Sequence, residues 1–193
     1  MKLTIGSPVD LLTRAALVLA PLLLLASSIA YIIAGEFGEE SAGGLLQVLS
    51  MAMFVLALMA LVARIEGTAP RAAGAFLLLG CLGCAGGVSY GIDAIVIANG
   101  GPDLNELTGA ATIVKVIGPI FPLVFIGIGL TIWRTGLVPV AGAVAIVVGA
   151  VMFPVSRIGG IAPLAIAADS LLLIGLAVVA MTHPAPTSSI PTV

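Results

Sequence analysis

Five side chains with ionisable groups lie in or beside apolar stretches of this sequence, where such groups are rare. They are Tyr90, Asp93, Lys115, Arg157 and Asp169. Acids and bases inside a membrane segment are costly, and they commonly mark ligand sites or proton pathways. We predict the pairs Asp93–Lys115 and Asp169–Arg157. A purely structural role, in which each acid only neutralises a base, remains the alternative.

The stretches that hold these residues are typical of a membrane protein. The chain has 193 residues, of which 61% are hydrophobic and only 8% charged, and its mean hydropathy is +1.30. A soluble domain carries about 25% charged residues, and this chain has too few polar groups to cover a water-exposed surface. We therefore predict one all-α integral membrane domain over residues 1–182. The formal net charge of −2 gives no basic surface for nucleic acid.

Six apolar runs are candidates for transmembrane helices. A helix needs about 20 mainly apolar residues to cross a hydrocarbon layer of roughly 30 Å, and Gly, Pro and charged residues mark where the runs end. The predicted spans are Leu12–Ala34, Gly44–Ala63, Ala72–Ala98, Ala111–Trp133, Val138–Ser156 and Ile161–Thr182.

The charges between the spans predict which ends face the cytoplasm, because cytoplasmic loops carry the excess of Lys and Arg. With both termini inside, the inner segments hold Lys2, Arg14, Arg64, Arg71 and Arg134. The outer loops then hold Glu36, Glu39, Glu40, Asp103 and Glu106, with Arg157 as the one outer arginine. We predict a multi-pass protein of the cell membrane with this orientation. Residues 183–193 are rich in Pro, Ser and Thr and are predicted to be a disordered cytoplasmic tail.

A repeated segment indicates that the chain consists of two related halves. Arg64–Pro70 reads RIEGTAP and Arg157–Pro163 reads RIGGIAP, and each lies between two predicted spans. The alignment extends to repeat units of about residues 12–98 and 111–182, with three spans in each. Because three is odd, the second unit would enter the bilayer from the opposite side, as in several inverted-repeat transporters.

The inverted repeat would explain why acids and bases meet in the outer half of the membrane. Arg14 and Arg64 lie at the inner face, whereas the residues aligned with them, Lys115 and Arg157, are carried to the outer half. Asp93 and Asp169 have no acidic counterparts in the other unit. We interpret them as later additions that neutralise the displaced bases or form a site with them.

The third span carries small residues at four-residue spacing. Gly83, Gly87 and Gly91 form a stripe that permits close approach of another helix backbone, either within the bundle or from another membrane protein or a second copy. Tyr90 and Asp93 fall on a different face of the same helix. We therefore expect this helix to be enclosed on both sides.

Two further patterns bear on mechanism. Cys81 and Cys84 form a CxxC pair, but redox pairs need an activated thiolate, so we interpret these apolar-run cysteines as packing residues.

Pro119 and Pro122 follow Lys115 within the fourth span, and Pro kinks helices. We predict that this span is bent and mobile.

Two functions remain open from the sequence. The first is a small permease, channel-like protein or solute-binding membrane subunit with an outward-facing charged pocket, suited to a zwitterion or to proton-coupled movement. The second is a non-catalytic structural or accessory subunit of a membrane complex.

No HExxH, GxSxG, P-loop or dinucleotide motif is present, so enzyme activity is not favoured. We expect no cofactor, and a single histidine excludes a multi-histidine metal site.

Overall fold

The computed structural model of the chain is a helical bundle. It describes residues 7–35, 39–104, 106 and 108–182, and these contain no β-strand. A short 3₁₀ turn, Gly109–Thr112, precedes the fourth helix. The helices are α1 (Pro8–Ala34), α2 (Ser41–Ile65), α3 (Pro70–Ala98), α4 (Ile113–Ile117), α5 (Ile120–Thr135), α6 (Val140–Ile158) and α7 (Ala162–Met181).

Five of these helices, α1, α2, α3, α6 and α7, are long and apolar enough to cross a membrane. They contain 19 to 29 residues, which corresponds to about 28–44 Å at 1.5 Å per residue. Their outward surfaces are apolar, as a lipid environment requires. Examples of strongly exposed apolar side chains are Leu11, Ile33, Leu78 and Ile174. The chain is therefore compatible with a multi-pass membrane protein.

The fourth predicted span, Ala111–Trp133, is wrong as one continuous helix. α4 ends at Ile117 and α5 begins at Ile120, with Gly118 and Pro119 in the turn between them. Proline has no N–H to donate to the carbonyl four residues earlier, and the Phe121 amide donates to the Gly118 carbonyl at 3.2 Å. The predicted bend is confirmed, while its mobility stays a prediction.

Six helices form a closed ring. In order around the ring, α1 packs on α2, α2 on α3, α3 on α5, α5 on α6, α6 on α7, and α7 again on α1. Neighbours in this ring run antiparallel. For example, Gly83 of α3 lies against Phe121, and Gly86 lies against Gly118. Residue numbers therefore increase along α3 as they decrease along the other segment, so α3 and α5 run in opposite directions.

The two ends of the bundle differ in charge. At one end, which we call the acidic end, α1, α3 and α6 finish and α2 and α7 begin, whereas α5 begins beside the middle of α3. The opposite basic end carries the described side chains Arg14, Arg64, Arg71 and Arg134. Arg64 bonds to the Val179 carbonyl and the Thr182 hydroxyl at the finish of α7, whereas Arg157 meets Asp169 near the start of α7. Arg64 and Arg157 therefore lie at opposite ends.

Side-chain capping fixes the starts of α1 and α2, one at each end of the bundle. Ser7 Oγ accepts a hydrogen bond from the Asp10 amide at 3.2 Å at the start of α1. At the acidic end, the Glu40 carboxylate accepts hydrogen bonds from the amides of Ala42 and Gly43 at the start of α2. These two bonds favour the ionised form and hold the pKa of Glu40 below its ordinary value of 4.5.

The glycine stripe of α3 is used inside the chain. A Cβ on Gly83 would lie 2.5 Å from the Phe121 backbone nitrogen of α5, and Gly87 and Gly91 contact α2. A docking role for Gly83, Gly87 and Gly91 toward another protein stays a prediction. Both faces named from the sequence are enclosed, because the glycine stripe packs on α2 and α5 and Asp93 on the other face is 4% exposed. A third face, which bears Leu78 and Leu82, is exposed.

Aromatic side chains fill part of the interior of the bundle. The Phe54 ring lies edge-on to the rings of Phe121 and Phe125, with centroids 4.9 and 5.3 Å apart. Phe153 of α6 adds a tilted contact with Phe121 at 5.5 Å. These ring contacts join α2, α5 and α6 inside the bundle.

Candidate functional site

A buried ion pair links α6 to α7 in the half of the bundle nearest the acidic end. Arg157 Nη2 lies 3.0 Å from Asp169 Oδ2, and the Asp169 side chain is 0% exposed. The sequence predicted this pair because both charges lie in the outer half of the predicted bilayer, and the 3.0 Å contact agrees with that prediction. Asp169 is the eighth residue of α7, roughly 10 Å along the helix from its start.

A serine from a third helix completes this network. The Ser28 hydroxyl of α1 donates to Asp169 Oδ2 at 2.5 Å and accepts from Arg157 Nη2 at 2.8 Å. The Arg157 guanidinium also lies over the Phe153 ring, with Cζ 5.0 Å from the centroid, which is within the range of a cation–π contact. The network thus joins α1, α6 and α7.

A cavity of about 410 Å³ lies beside this network, within the ring of helices. It reaches the acidic end, since the exposed side chains of Glu39 and Ile158 are part of its wall. Its apolar wall includes Met51, Phe121, Pro122, Phe153 and Pro154. Its polar and charged wall is formed by Tyr31, Glu39, Gln47, Tyr90, Asp93, Asp103 and Arg157.

One wall of the cavity is tied together by neutral polar groups. The Tyr31 hydroxyl of α1 donates to Gln47 Oε1 at 3.4 Å, a long hydrogen bond. Gln47 Nε2 of α2 donates in turn to the Gly87 carbonyl of α3 at 3.0 Å. Because both side chains are largely buried, these bonds fix the positions of three helices around the cavity.

Asp93 and Tyr90 of α3 form a further part of the wall. Asp93 is 4% exposed, and its Oδ1 accepts a hydrogen bond from the Leu104 amide at 2.8 Å. The Tyr90 ring packs directly on Gly118 in the break between α4 and α5, where a Cβ would collide with it. The break in the fourth span therefore gives Tyr90 its place at the cavity.

The structure brings together most of the side chains selected from sequence. Tyr90, Asp93 and Arg157 line one cavity, and Asp169 lies behind Arg157 rather than on the wall. Lys115 belongs to α4, but its side chain lies outside the described part of the structure. The Asp93–Lys115 pair therefore stays a prediction.

Sequence reasoning missed three neutral polar residues of this region. Tyr31, Ser28 and Gln47 were not among the candidate site residues. A signal for Gln47 did exist, because it is the one carboxamide in the predicted span Gly44–Ala63. Such a group inside a membrane helix needs a hydrogen-bonding partner.

The described residues of this region offer aromatic, amide and charged groups rather than a metal-ligand cluster or a disulfide. No group of three or more His, Cys, Asp or Glu side chains able to hold a metal occurs among the described residues. Cys84 is buried and Cys81 half-buried, and both are free thiols. What the cavity offers instead is a mixed wall of aromatic, amide and charged groups around a volume suited to a small solute.

No family model, curated protein or solved structure matches this chain.

Proposed function

We propose that the chain is a small solute-binding membrane protein, a permease or channel-like protein, whose charged pocket opens on the outer side of the cell membrane. The observation that carries this proposal is the cavity of about 410 Å³ with Asp93 and Arg157 in its wall. Ionisable groups in a membrane helix are expensive unless they face a partner or a water-filled space. A cavity that admits water and solute supplies such a space.

The size and lining of the cavity support this function. Small-molecule sites occupy about 300–1,000 Å³ and are mostly apolar, with a few placed polar groups. The cavity lies within this range, and phenylalanine and proline side chains alternate in its wall with Tyr90, Asp93 and Gln47.

The distribution of charge supports an outward opening. Among the described side chains, the basic end carries four arginines, and Arg157 is the one basic group at the acidic end. Since lysine and arginine accumulate on the cytoplasmic side, the basic end faces the cytoplasm in our proposal. The cavity, which reaches the acidic end through Glu39, then opens outside.

The order of helix packing supports the 3+3 inverted repeat. When α1, α2 and α3 are matched with α5, α6 and α7, every neighbouring pair in the ring has a counterpart, including α3–α5 with α7–α1. The aligned arginines Arg64 and Arg157 lie at opposite ends, as inversion requires. The broken element α4–α5 borders the cavity, a position that discontinuous helices take in inverted-repeat transporters.

An accessory role in a membrane complex is the second candidate. It is favoured by the exposure of α3. In the most hydrophobic segment of α3, 28% of the residues are buried within the bundle, compared with 39–44% in the other four long helices. Its exposed apolar face could contact a larger partner as well as lipid. This role predicts co-purification with another membrane protein and gives no reason for a cavity among the charges.

Reconstitution into proteoliposomes tests the proposed function. The rates at which small cationic, anionic, zwitterionic and neutral solutes enter are followed by osmotic reswelling. At least one solute should enter faster than in protein-free liposomes, and Asp93→Asn and Asp169→Asn should change that rate. Glu106→Gln, an exposed acid of the same end that is not in the cavity wall, is the matched control. Permeation that both aspartate variants leave unchanged, or no permeation by any solute, contradicts the proposal.

A further inference from the structure

We infer that the cavity binds a small organic cation, an ammonium group carried on a short apolar body. This inference rests on the proposed function and specifies its solute. It follows from the charge of the cavity wall, from the position of that charge along the cavity, and from the aromatic rings beside it.

The charge of the described wall is negative. Three of its side chains are acids, Glu39, Asp93 and Asp103, and one is a base, Arg157. Arg157 is already neutralised by Asp169 at 3.0 Å. Asp93 and Asp103 form a side-chain hydrogen bond in which one of them carries the proton, so the surplus is Glu39 and one shared aspartate charge. Even if Lys115 neutralises that shared charge, Glu39 leaves a negative wall.

The acids follow the path that a solute would take from the mouth inward. Glu39 is exposed, Asp103 is half-buried, and Asp93 is 4% exposed and lies deeper along α3. A cleft lined by charge of one sign between low-dielectric walls concentrates ions of the opposite sign. The cavity thus attracts cations at its opening and offers Asp93 to them further in.

Aromatic rings suit the body and the charge of an organic ammonium. Tyr90 is one helical turn from Asp93 on α3, and both lie in the cavity wall together with Tyr31. Ammonium groups bind to the faces of such rings. Both rings are held in place, Tyr90 against Gly118 and Tyr31 through Gln47, so the site needs little ordering when a ligand enters.

The same wall is poorly suited to an anion. The Arg157 guanidinium is bound to Asp169 and Ser28 and stacks on Phe153, so an anion would have to compete with these contacts. It would also have to pass the acids at the mouth. A zwitterion would need its carboxylate at Arg157 while its ammonium group faces Asp93.

A matched series of four-carbon probes tests the inference on the purified full chain in lipid nanodiscs. n-Butylammonium, n-butanol, butyrate and 4-aminobutyrate differ in charge with little change in size, and isothermal titration measures their binding. n-Butylammonium should bind at least about tenfold more tightly than each of the other three, a difference of about 1.4 kcal/mol. Asp93→Asn should weaken its binding about tenfold or more, and Glu106→Gln should leave it within about twofold.

Tyr90→Leu is a second variant that keeps the carboxylate and removes the ring, in case Asp93→Asn does not fold. It should also weaken n-butylammonium binding several-fold. Tighter binding of butyrate or 4-aminobutyrate would overturn the cation inference while leaving a solute-binding function intact. Cation binding that neither variant alters would overturn the placement of the site. No binding of any probe overturns the inference, and the absence of all solute permeation in proteoliposomes would in addition overturn the proposed function.

Discussion

Asp169 is the residue whose chemistry depends most on its surroundings. Its carboxylate is fully buried, and its Oδ2 accepts hydrogen bonds from Arg157 and Ser28. Removing one member of a buried ion pair leaves the other charge uncompensated, at a cost of about 3–5 kcal/mol. Asp169→Asn should therefore lower the free energy of unfolding by about that amount, measured by thermal or denaturant unfolding in detergent micelles.

A double variant separates the charge from the packing. Asp169→Asn combined with Arg157→Gln replaces both charges by amides, so neither is left without compensation. This variant should be more stable than Asp169→Asn alone. If the two substitutions instead destabilise the protein additively, the 3.0 Å contact contributes no coupling and the pair has no structural role.

Glu40 predicts a dependence of stability on pH. Its carboxylate caps α2 through the amides of Ala42 and Gly43, and these bonds hold its pKa in the folded protein below 4.5. A lowered pKa means that the unfolded chain binds the proton more tightly, so the contribution is present above pH 4.5 and is lost as the pH falls further. Glu40→Gln should lower the unfolding temperature at neutral pH, and the difference from the wild type should shrink below about pH 4.

The sequence reveals charged partners more readily than neutral ones. Arg157 and Asp169 could be paired because two rare opposite charges fall in the same half of the predicted bilayer. Ser28, which completes their network, is a common residue in membrane helices and carries no such signal. The hydrogen bond from the Leu104 amide to Asp93 depends on the conformation of a loop, which residue types alone do not determine.

Among the helices, α3 offers a direct test of close packing. A Cβ on Gly83 would meet the backbone of Phe121 at 2.5 Å, and a backbone cannot rotate away as a side chain can. Gly83→Ala should therefore push α5 from α3 and lower the free energy of unfolding by about 1–3 kcal/mol, as overpacking does. Thermal unfolding in detergent measures the effect.

Two other glycines of α3 are internal controls. Gly74 has open space around its Cβ position, so Gly74→Ala should be neutral or should stabilise the helix by up to about 1 kcal/mol. A Cβ on Gly87 would contact the flexible side chain of Met51. The loss of unfolding free energy caused by Gly87→Ala should therefore lie between the losses caused by the other two substitutions. Equal effects of Gly83→Ala and Gly74→Ala would show that the α3–α5 contact is looser than described.

The apolar runs predict most helices well but not the fourth. The first three and the last two predicted spans agree with α1, α2, α3, α6 and α7 within a few residues, because apolar length and terminal Gly, Pro and charge determine them. The fourth run contains Pro119 and Pro122, which predict a bend. That the helix breaks fully at Gly118 and Pro119, and that Tyr90 packs on Gly118 there, is not contained in a linear pattern.

For the molecule as a whole, the inverted repeat predicts that the repeated segments Arg64–Pro70 and Arg157–Pro163 lie on opposite sides of the membrane. To locate each segment, a single cysteine is placed at Thr68 or at Ile161 in a chain whose Cys81 and Cys84 are replaced by alanine. A membrane-impermeant maleimide should label Ile161→Cys in intact cells and Thr68→Cys only after lysis. Labelling of both from the same side would refute the inverted repeat.

Composition and span count predict the class of the molecule, whereas the cavity emerges only from the assembled ring. Nothing in the sequence specifies that α7 closes on α1 or that Gln47 reaches Gly87, since these contacts join residues far apart in the chain. The depth of Asp93 and Arg157 could be predicted. The space between them and the acidic end could not.

Water access to Tyr90 is the measurement that tests the central claim most directly. Tyr90→Cys, in the same cysteine-replaced chain, should react from outside with a charged thiosulfonate. Ile92→Cys, at nearly the same depth of α3 but on its exposed apolar face, should stay unreactive because lipid surrounds it. If Tyr90→Cys is as unreactive as Ile92→Cys, or reacts only from the cytoplasmic side, the cavity is not an outward-facing solute site.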